Sequence, residues 1–203
     1  MSHAPGGSGL REHLLFLGRF LRSPRTIGSI APSSRALAAA MVRSLACGHA
    51  GRVVELGPGT GAFTAALVAC LGPSSRLLAI DREAAFIERL RRQWPVADFV
   101  CASAADLPAL AAERNFLPID HIVSGLPFAS LPGDVTKRIL DGIQQSLRPN
   151  GTFTTFQYVQ AYGLPPAVAF RRDINARLGG QPTRALVMWN IPPAYVLTWQ
   201  KRL

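Results

Sequence analysis

The sequence predicts an α/β domain: a mostly parallel seven-stranded sheet, helices on both faces and a C-terminal antiparallel hairpin. Three observations lead there. Apolar strand patterns alternate with helical ones through most of the chain. The first of these strands runs into a glycine turn and a helix start, Val53-Val54-Glu55-Leu56-Gly57-Pro58-Gly59-Thr60-Gly61. The chain then closes on two strand-like runs, 184–189 and 195–200, separated only by Asn190-Ile191-Pro192-Pro193.

At 203 residues the chain fits one domain, large enough to bury a core without staples. Lys plus Arg number 22 against 12 Asp plus Glu, a formal net charge of +10, so an anionic partner is expected, either nucleic acid or acidic membrane. Cys47, Cys70 and Cys101 lie far apart without CxxC or Cys/His pairing and read as reduced core residues rather than metal ligands, which suits the cytoplasm. Every apolar run is broken before the ~20 residues that a spanning helix needs.

Taken in order, residues 1–9 have nothing to pack and are expected to be mobile. Residues 10–22 form a basic amphipathic helix, with Leu10, Leu14, Leu17 and Leu21 on one stripe and Arg11, Arg19 and Arg22 elsewhere around it. That helix either packs on the domain or lies in a membrane interface, and its internal charges are wrong for a signal-peptide core. Residues 23–203 make the single domain. A Pro- and Ser-containing loop, 23–34, ends at Ser33 or Ser34, either of which suits the cap of a helix over 35–45. After the glycine turn come a helix to residue 71, a strand over 76–80 ending at Asp81, and a charged helix to 93. A third strand, 97–101, leads to Ser103-Ala104-Ala105-Asp106; a fourth, 120–124, is followed by a helix over 133–147. A fifth strand, 151–159, rich in Thr, Phe and Tyr, and a helix over 164–178 precede the hairpin.

Glycines at 57, 59 and 61 let a ligand approach main-chain groups that a Cβ would block. Glu55 would repel phosphate, so the ligand is cationic or phosphate-free. Asp81, at the end of the second strand, is placed either to accept ribose hydroxyls or to cap the next helix.

The stretch Glu55-Leu56-Gly57-Pro58-Gly59-Thr60-Gly61 resembles the first motif of the class I S-adenosylmethionine-dependent methyltransferases, whose Rossmann-like fold is the α/β sheet described above. The resemblance implies S-adenosylmethionine as cofactor, bound by Glu55, Gly57, Gly59, Gly61, Asp81, Arg82, Ala105 and Asp106, with Asp81 on the ribose hydroxyls and Asp106 on the adenine amino group. The fourth strand ends in Ser124-Gly125-Leu126-Pro127-Phe128, where amino methyltransferases carry an Asn or Asp, a proline and an aromatic. Gly125 stands where ribosomal-RNA adenine dimethyltransferases have the asparagine that polarises a conjugated nitrogen, which argues for an aliphatic amine. Phe128 offers an ammonium its face or is a core residue after a turn.

With the loop at 24–34, Phe156-Gln157-Tyr158 and Asn190-Ile191-Pro192-Pro193-Ala194, the chain is similar to bacterial phospholipid N-methyltransferases over nearly its whole length. That implies stepwise methylation of an amino-lipid headgroup, phosphatidylethanolamine towards phosphatidylcholine, by a cytoplasmic protein peripherally bound to anionic membrane. Ser124, Gly125, Leu126, Phe128 and Tyr158 are the expected acceptor-side residues, and Arg22, Arg25, Ser33, Ser34 and Arg35 the expected contacts with lipid phosphate or membrane. No metal is expected. Asn190 reads as part of a hairpin turn rather than as a catalytic residue. Two other functions share these features: a ribosomal-RNA adenine methyltransferase, with RNA as partner, and a non-catalytic binding protein on the same scaffold.

Overall fold

The computed structural model describes residues 33–45 and 51–202, so the expectations for residues 1–22, Arg25 and Cys47 lie outside the described residues. In chain order the elements are α1 (Arg35–Met41), β1 (Arg52–Leu56), α2 (Ala62–Cys70), β2 (Arg76–Asp81), α3 (Ala84–Gln93), β3 (Asp98–Cys101), α4 (Leu107–Glu113) and β4 (Ile119–Ser124), then α5 (Gly133–Ser146), β5 (Leu147–Tyr158), α6 (Pro165–Leu178), β6 (Thr183–Val187) and β7 (Ala194–Gln200). Short 3-10 turns stand at Ala104–Asp106, Phe128–Ser130 and Val159–Ala161.

The strands stand in the order β3-β2-β1-β4-β5-β7-β6. β1 to β5 pair in parallel and β7 lies antiparallel between β5 and β6, so the expected parallel sheet with its closing hairpin is what forms. Parallel strands covered on both faces need apolar residues at successive positions, and these strands have them. Val54, Leu56, Leu78 and Ile80 point into a core shared with Leu107, Ala111, Leu140, Ile143, Phe170 and Ile174 of α4, α5 and α6. Val53, Leu77 and Val123 point the other way, onto Leu37, Met41, Phe63 and Leu67 of α1 and α2, while Ala79 and Phe99 meet Ile87 and Leu90 of α3.

Several boundaries differ from the sequence expectation. Helix α1 ends at Met41 rather than 45, β6 stops at Val187 rather than 189, and β5 begins at Leu147, ahead of Gly151. Helix α4 was not foreseen: only Leu107 and Ala111 in it are fully buried, too few apolar anchors for a period to show. Cys70 is buried, as expected, but Cys101 is exposed because it ends β3 at the sheet's rim. Strand order reverses between β1 and β4, which are neighbours although β2 and β3 separate them in sequence. In open α/β sheets, ligands bind beyond the carboxyl ends of the strands at such a switch point.

Candidate active site

At the switch point the β1 and β4 turns interlock. The Gly125 amide donates to the Leu56 carbonyl at 2.9 Å, and the Gly57 amide donates to the Ile80 carbonyl at 2.9 Å. Gly57 has φ +73°, and a Cβ there would sit 2.7 Å from Leu126 Cδ2. A Cβ on Gly125 would sit 2.8 Å from the Gly57 carbonyl oxygen. The absence of an asparagine at 125 therefore has a steric cause, since nothing larger than hydrogen fits without moving backbone. Gly59, at φ +52°, meets nothing within 4 Å and presents an open main chain.

Behind the glycine turn lies a buried carboxyl. Glu55 is wholly buried at the end of β1, and Thr64 of α2 donates its hydroxyl to Glu55 Oε2 at 2.7 Å. Glu55 Oε1 is buried with no hydrogen-bond partner. Burial, with the nearby Asp81 charge adding a smaller push, raises the Glu55 pKa to about 8 against the lowering effect of Thr64. A buried, half-satisfied carboxyl of this kind favours a cation beside it. Asp81 stands in front: its Oδ2 accepts from the Gly59 amide at 3.0 Å and its Oδ1 from the Glu83 amide at 3.0 Å. It thus ties the turn to the start of α3, and each oxygen keeps a lone pair for a further donor. The helix-start role is the one these bonds show, and the spare lone pairs leave room for a ligand's donors.

The turn after β3 is brought beside Asp81, because the Ala102 amide donates to the Asp81 carbonyl at 2.9 Å. Within it the Ala105 amide is engaged by the Ser103 hydroxyl at 3.2 Å, and Asp106 is exposed. Arg82 is exposed as well, and its carbonyl accepts from the Cys101 thiol at 3.7 Å.

On the β4 and β5 side lies an apolar cavity of about 40 Å³, lined by Gly125, Leu126, Pro127, Phe128 and Ala129 with Phe156, Gln157, Tyr158, Ala161, Ala167 and Phe170. Of the expected acceptor residues, Gly125, Leu126, Phe128 and Tyr158 meet here. Ser124 does not line the cavity: it is fully buried, its hydroxyl accepting from the Leu126 amide at 3.2 Å, and it shapes the turn instead. Phe128 stacks on Phe170 at 4.5 Å between centroids and meets Phe153 edge-on at 6.2 Å, so one face is taken up by core. Phe128 is thus core on one side and cavity wall on the other. Tyr158 is buried, lies edge-to-face with Phe156 at 5.4 Å, and has its phenol pKa raised by burial.

Sequence reasoning missed Phe170 and Ala167 of α6, whose helical spacing marks them only as apolar, and Arg171. Arg171 Nη1 donates to Gln157 Oε1 at 2.6 Å and to the Tyr162 carbonyl at 2.8 Å, with its guanidinium 3.8 Å from the centre of the Tyr162 ring. A cation is thereby held against a cavity-lining side chain.

The loop residues ahead of α1 have a structural partner. Ser34 caps α1, accepting from the Leu37 amide at 3.1 Å, while its own amide donates to Asn190 Oδ1 at 3.0 Å. Asn190 Nδ2 donates to the Pro192 carbonyl at 2.6 Å, so Asn190 holds the hairpin turn together, as expected of it. Ser33 is half-buried and Arg35 exposed. At the opposite, amino edge of the sheet, Asp120 accepts from the Arg52 amide at 2.8 Å and pairs with Arg148, and His121 Nδ1 contacts Thr152 Oγ1 at 2.7 Å. Both stand away from the switch point.

Residues 53–151 match the Methyltransferase domain family. Over 147 residues the chain is 33% identical to an ornithine lipid N-methyltransferase from Singulisphaera acidiphila, covering 71% of this chain and 77% of that protein. The 1,6-didemethyltoxoflavin-N1-methyltransferase from Burkholderia thailandensis, solved with S-adenosylhomocysteine, superposes with a TM-score of 0.64 at 17% identity, covering 100% of this chain and 94% of that one. The O-methyltransferase TomG from Streptomyces achromogenes, solved with S-adenosylmethionine, superposes with a TM-score of 0.63 at 18% identity, covering 93% and 89%. At these identities the structural likenesses show the fold.

Proposed function

The chain belongs to the class I S-adenosylmethionine-dependent methyltransferases of the bacterial lipid N-methyltransferase type, and from that membership we propose that its acceptor is the primary amine of phosphatidylethanolamine. Its methyl donor is S-adenosylmethionine, and the nitrogen it methylates belongs to a lipid. The observation that supports an aliphatic amine over a nucleobase is the apolar cavity against the glycine turn, walled by Phe128, Phe156 and Tyr158, with a glycine at 125 in place of a side chain that would accept from a nucleobase amine.

The residues present fit the donor. Glu55 brings an unpartnered buried oxygen for a cationic group, Gly59 an open main chain, and Asp81 two oxygens with capacity for vicinal hydroxyls. When bound, S-adenosylmethionine supplies a methyl group made electrophilic by its sulfonium. Glu55 and the turn at Gly57 and Gly59 would hold its amino-acid end, Asp81 and the main chain at Arg82 its ribose, and the turn at Ala105 and Asp106 its adenine.

On the acceptor side the residues act by desolvation and placement. An alkylammonium has a pKa near 10.4 in water, like that of lysine. Enclosure among Leu126, Pro127, Phe128, Phe156 and Ala167 disfavours the charged form and exposes the lone pair. The aromatic walls hold the amine as methylation makes it harder to hydrate. Arg171, held by Gln157, is placed to pair with the lipid's anionic group, a role that Arg35, exposed at the start of α1, would share at the membrane surface.

The similarity to an ornithine lipid N-methyltransferase favours a second reading, in which the same cavity takes the amine of an ornithine lipid. The deciding assay incubates the full chain with methyl-labelled S-adenosylmethionine and, separately, phosphatidylethanolamine vesicles, ornithine-lipid vesicles and ribosomal RNA. Label on phosphatidylethanolamine is expected. Label on ornithine lipid alone selects the second reading, and label in RNA alone overturns both.

A further inference from the structure

The β6–β7 turn inverts the usual order of a surface loop. Trp189 is 86% exposed, Ile191 82% and Met188 62%, while Asn190 between them is only 5% exposed. Loops ordinarily hold polar residues out and apolar ones in. Here Asn190 turns inward to bond the Pro192 carbonyl and the Ser34 amide, and that clasp, with Pro192 and Pro193, fixes the large apolar side chains facing water.

The position of this tip is as informative as its composition. β6 runs parallel to β5, so the turn leaves the sheet at the same carboxyl edge as the glycine turn and the cavity. Ala194 pairs with Val187 on one side and with the cavity residue Tyr158 on the other. The Val159 amide donates to the Pro193 carbonyl at 2.9 Å. The tip therefore stands about two strand spacings, ~10 Å, from the cavity wall. Exposed Arg184 lies on the strand that leads to it, and exposed Arg35 follows Ser34, which bonds the tip itself. Guanidinium groups set back from an apolar point, that of Arg184 lying over the Tyr195 ring, match the layering of a bilayer, phosphates outside and acyl chains within. Tryptophan is the side chain most at home at that boundary.

We infer that Met188, Trp189 and Ile191 form a wedge that enters the surface of a lipid bilayer and seats the cavity mouth at headgroup depth. The inference rests on the lipid acceptor, whose amine must be reached where the bilayer presents it.

Trp189 is its own reporter, since Trp199 is fully buried and Trp94 is half-buried against Gly61. Full-length protein would be titrated with vesicles of phosphatidylethanolamine and phosphatidylglycerol carrying bromine on the acyl chains. Wild type should show a blue-shifted, bromine-quenched emission, and Trp189→Phe should bind equally while losing most of both signals. The double variant Trp189→Ser/Ile191→Ser should bind at least about tenfold more weakly. It should lose transfer to vesicles yet keep transfer to short-chain phosphatidylethanolamine below its micelle concentration, which also shows that it is folded. Bound vesicles that leave Trp189 unquenched, no vesicle binding, or double-variant binding equal to wild type would each overturn the wedge. So would an emission already blue before lipid is added, since protein would then cover the tip. Wild type inactive on the short-chain lipid would sink the acceptor reading instead, with quenching still deciding the tip.

Discussion

Glu55 is the residue whose chemistry departs furthest from its ordinary state. With a folded pKa of about 8 against 4.5 unperturbed, it is protonated in the folded chain through most of the range between those values. The unfolded chain is ionised there, so the native state binds more protons and stability falls as pH rises from about 4.5 to about 8. The span corresponds to roughly 5 kcal/mol. Glu55→Gln, which stays neutral, should flatten this slope in urea titrations between pH 5 and pH 8. Binding a cationic donor favours the carboxylate, so affinity for S-adenosylmethionine should climb towards pH 8 with release of a proton. Calorimetry in buffers of different ionisation enthalpy reads that release, and in Glu55→Gln it should vanish while affinity drops by about tenfold or more, as expected when a charge-assisted contact is lost. Gly125 is a second single-residue test. Gly125→Ala puts a methyl 2.8 Å from the Gly57 carbonyl and should cost about 1–3 kcal/mol, with donor affinity falling alongside because the glycine turn must move.

Among the elements, the α1 cap and the β6–β7 hairpin show what the sequence could and could not disclose. The Ser33-Ser34 segment and Asn190-Ile191-Pro192-Pro193 were legible as a cap and a turn, because each has a local chemistry. That Ser34 and Asn190, 156 residues apart, bond each other was not, since nothing local encodes a contact of that range. The cofactor half was similarly legible: glycines, Glu55 and Asp81 carry strong local constraints, and the strands feeding them are apolar on both faces. The acceptor half was read where β4 ends and at Tyr158, where β5 ends. Its other wall comes from α6, where Ala167 and Phe170 look like any buried stripe, and from Arg171, which resembles a solvated charge until Gln157 is placed beside it. Ser124, read as an acceptor-side residue, supports the turn rather than facing the cavity. The hairpin clasp gives a direct test. Asn190→Ala removes two hydrogen bonds from a buried site and should cost about 1–3 kcal/mol, roughly 2–4 °C of melting temperature per kcal/mol. An unchanged melting temperature would deny Asn190 that role.

Across the whole molecule, the proposed function would divide two tasks along one edge of the sheet, with the donor on residues of β1, β2 and the turn after β3 and the acceptor on residues of β4, β5 and α6. Among the described residues, carboxylates near the switch point, Glu55 and Asp81, belong to the glycine-turn side, and other titratable groups that could serve as a base stand away from the cavity. His121, its pKa lowered by burial, and Asp120 sit at the amino edge, and among the described residues the cavity lining holds no carboxylate or imidazole. Tyr158 is kept protonated, because burial raises its pKa further above the usual 10. The amine must then reach the cavity neutral or shed its proton to solvent on entry, and the neutral fraction of a group with a pKa near 10.4 grows about tenfold per pH unit below that value. With saturating donor, kcat/KM for the amino lipid should therefore rise close to tenfold per unit between pH 7 and pH 9, without a plateau. Tyr158→Phe should leave this slope intact while altering KM, because the side chain shapes the cavity and does not take the proton. A plateau setting in below pH 8 for wild type, lost in one carboxylate or histidine variant, would show that the chain supplies a base after all.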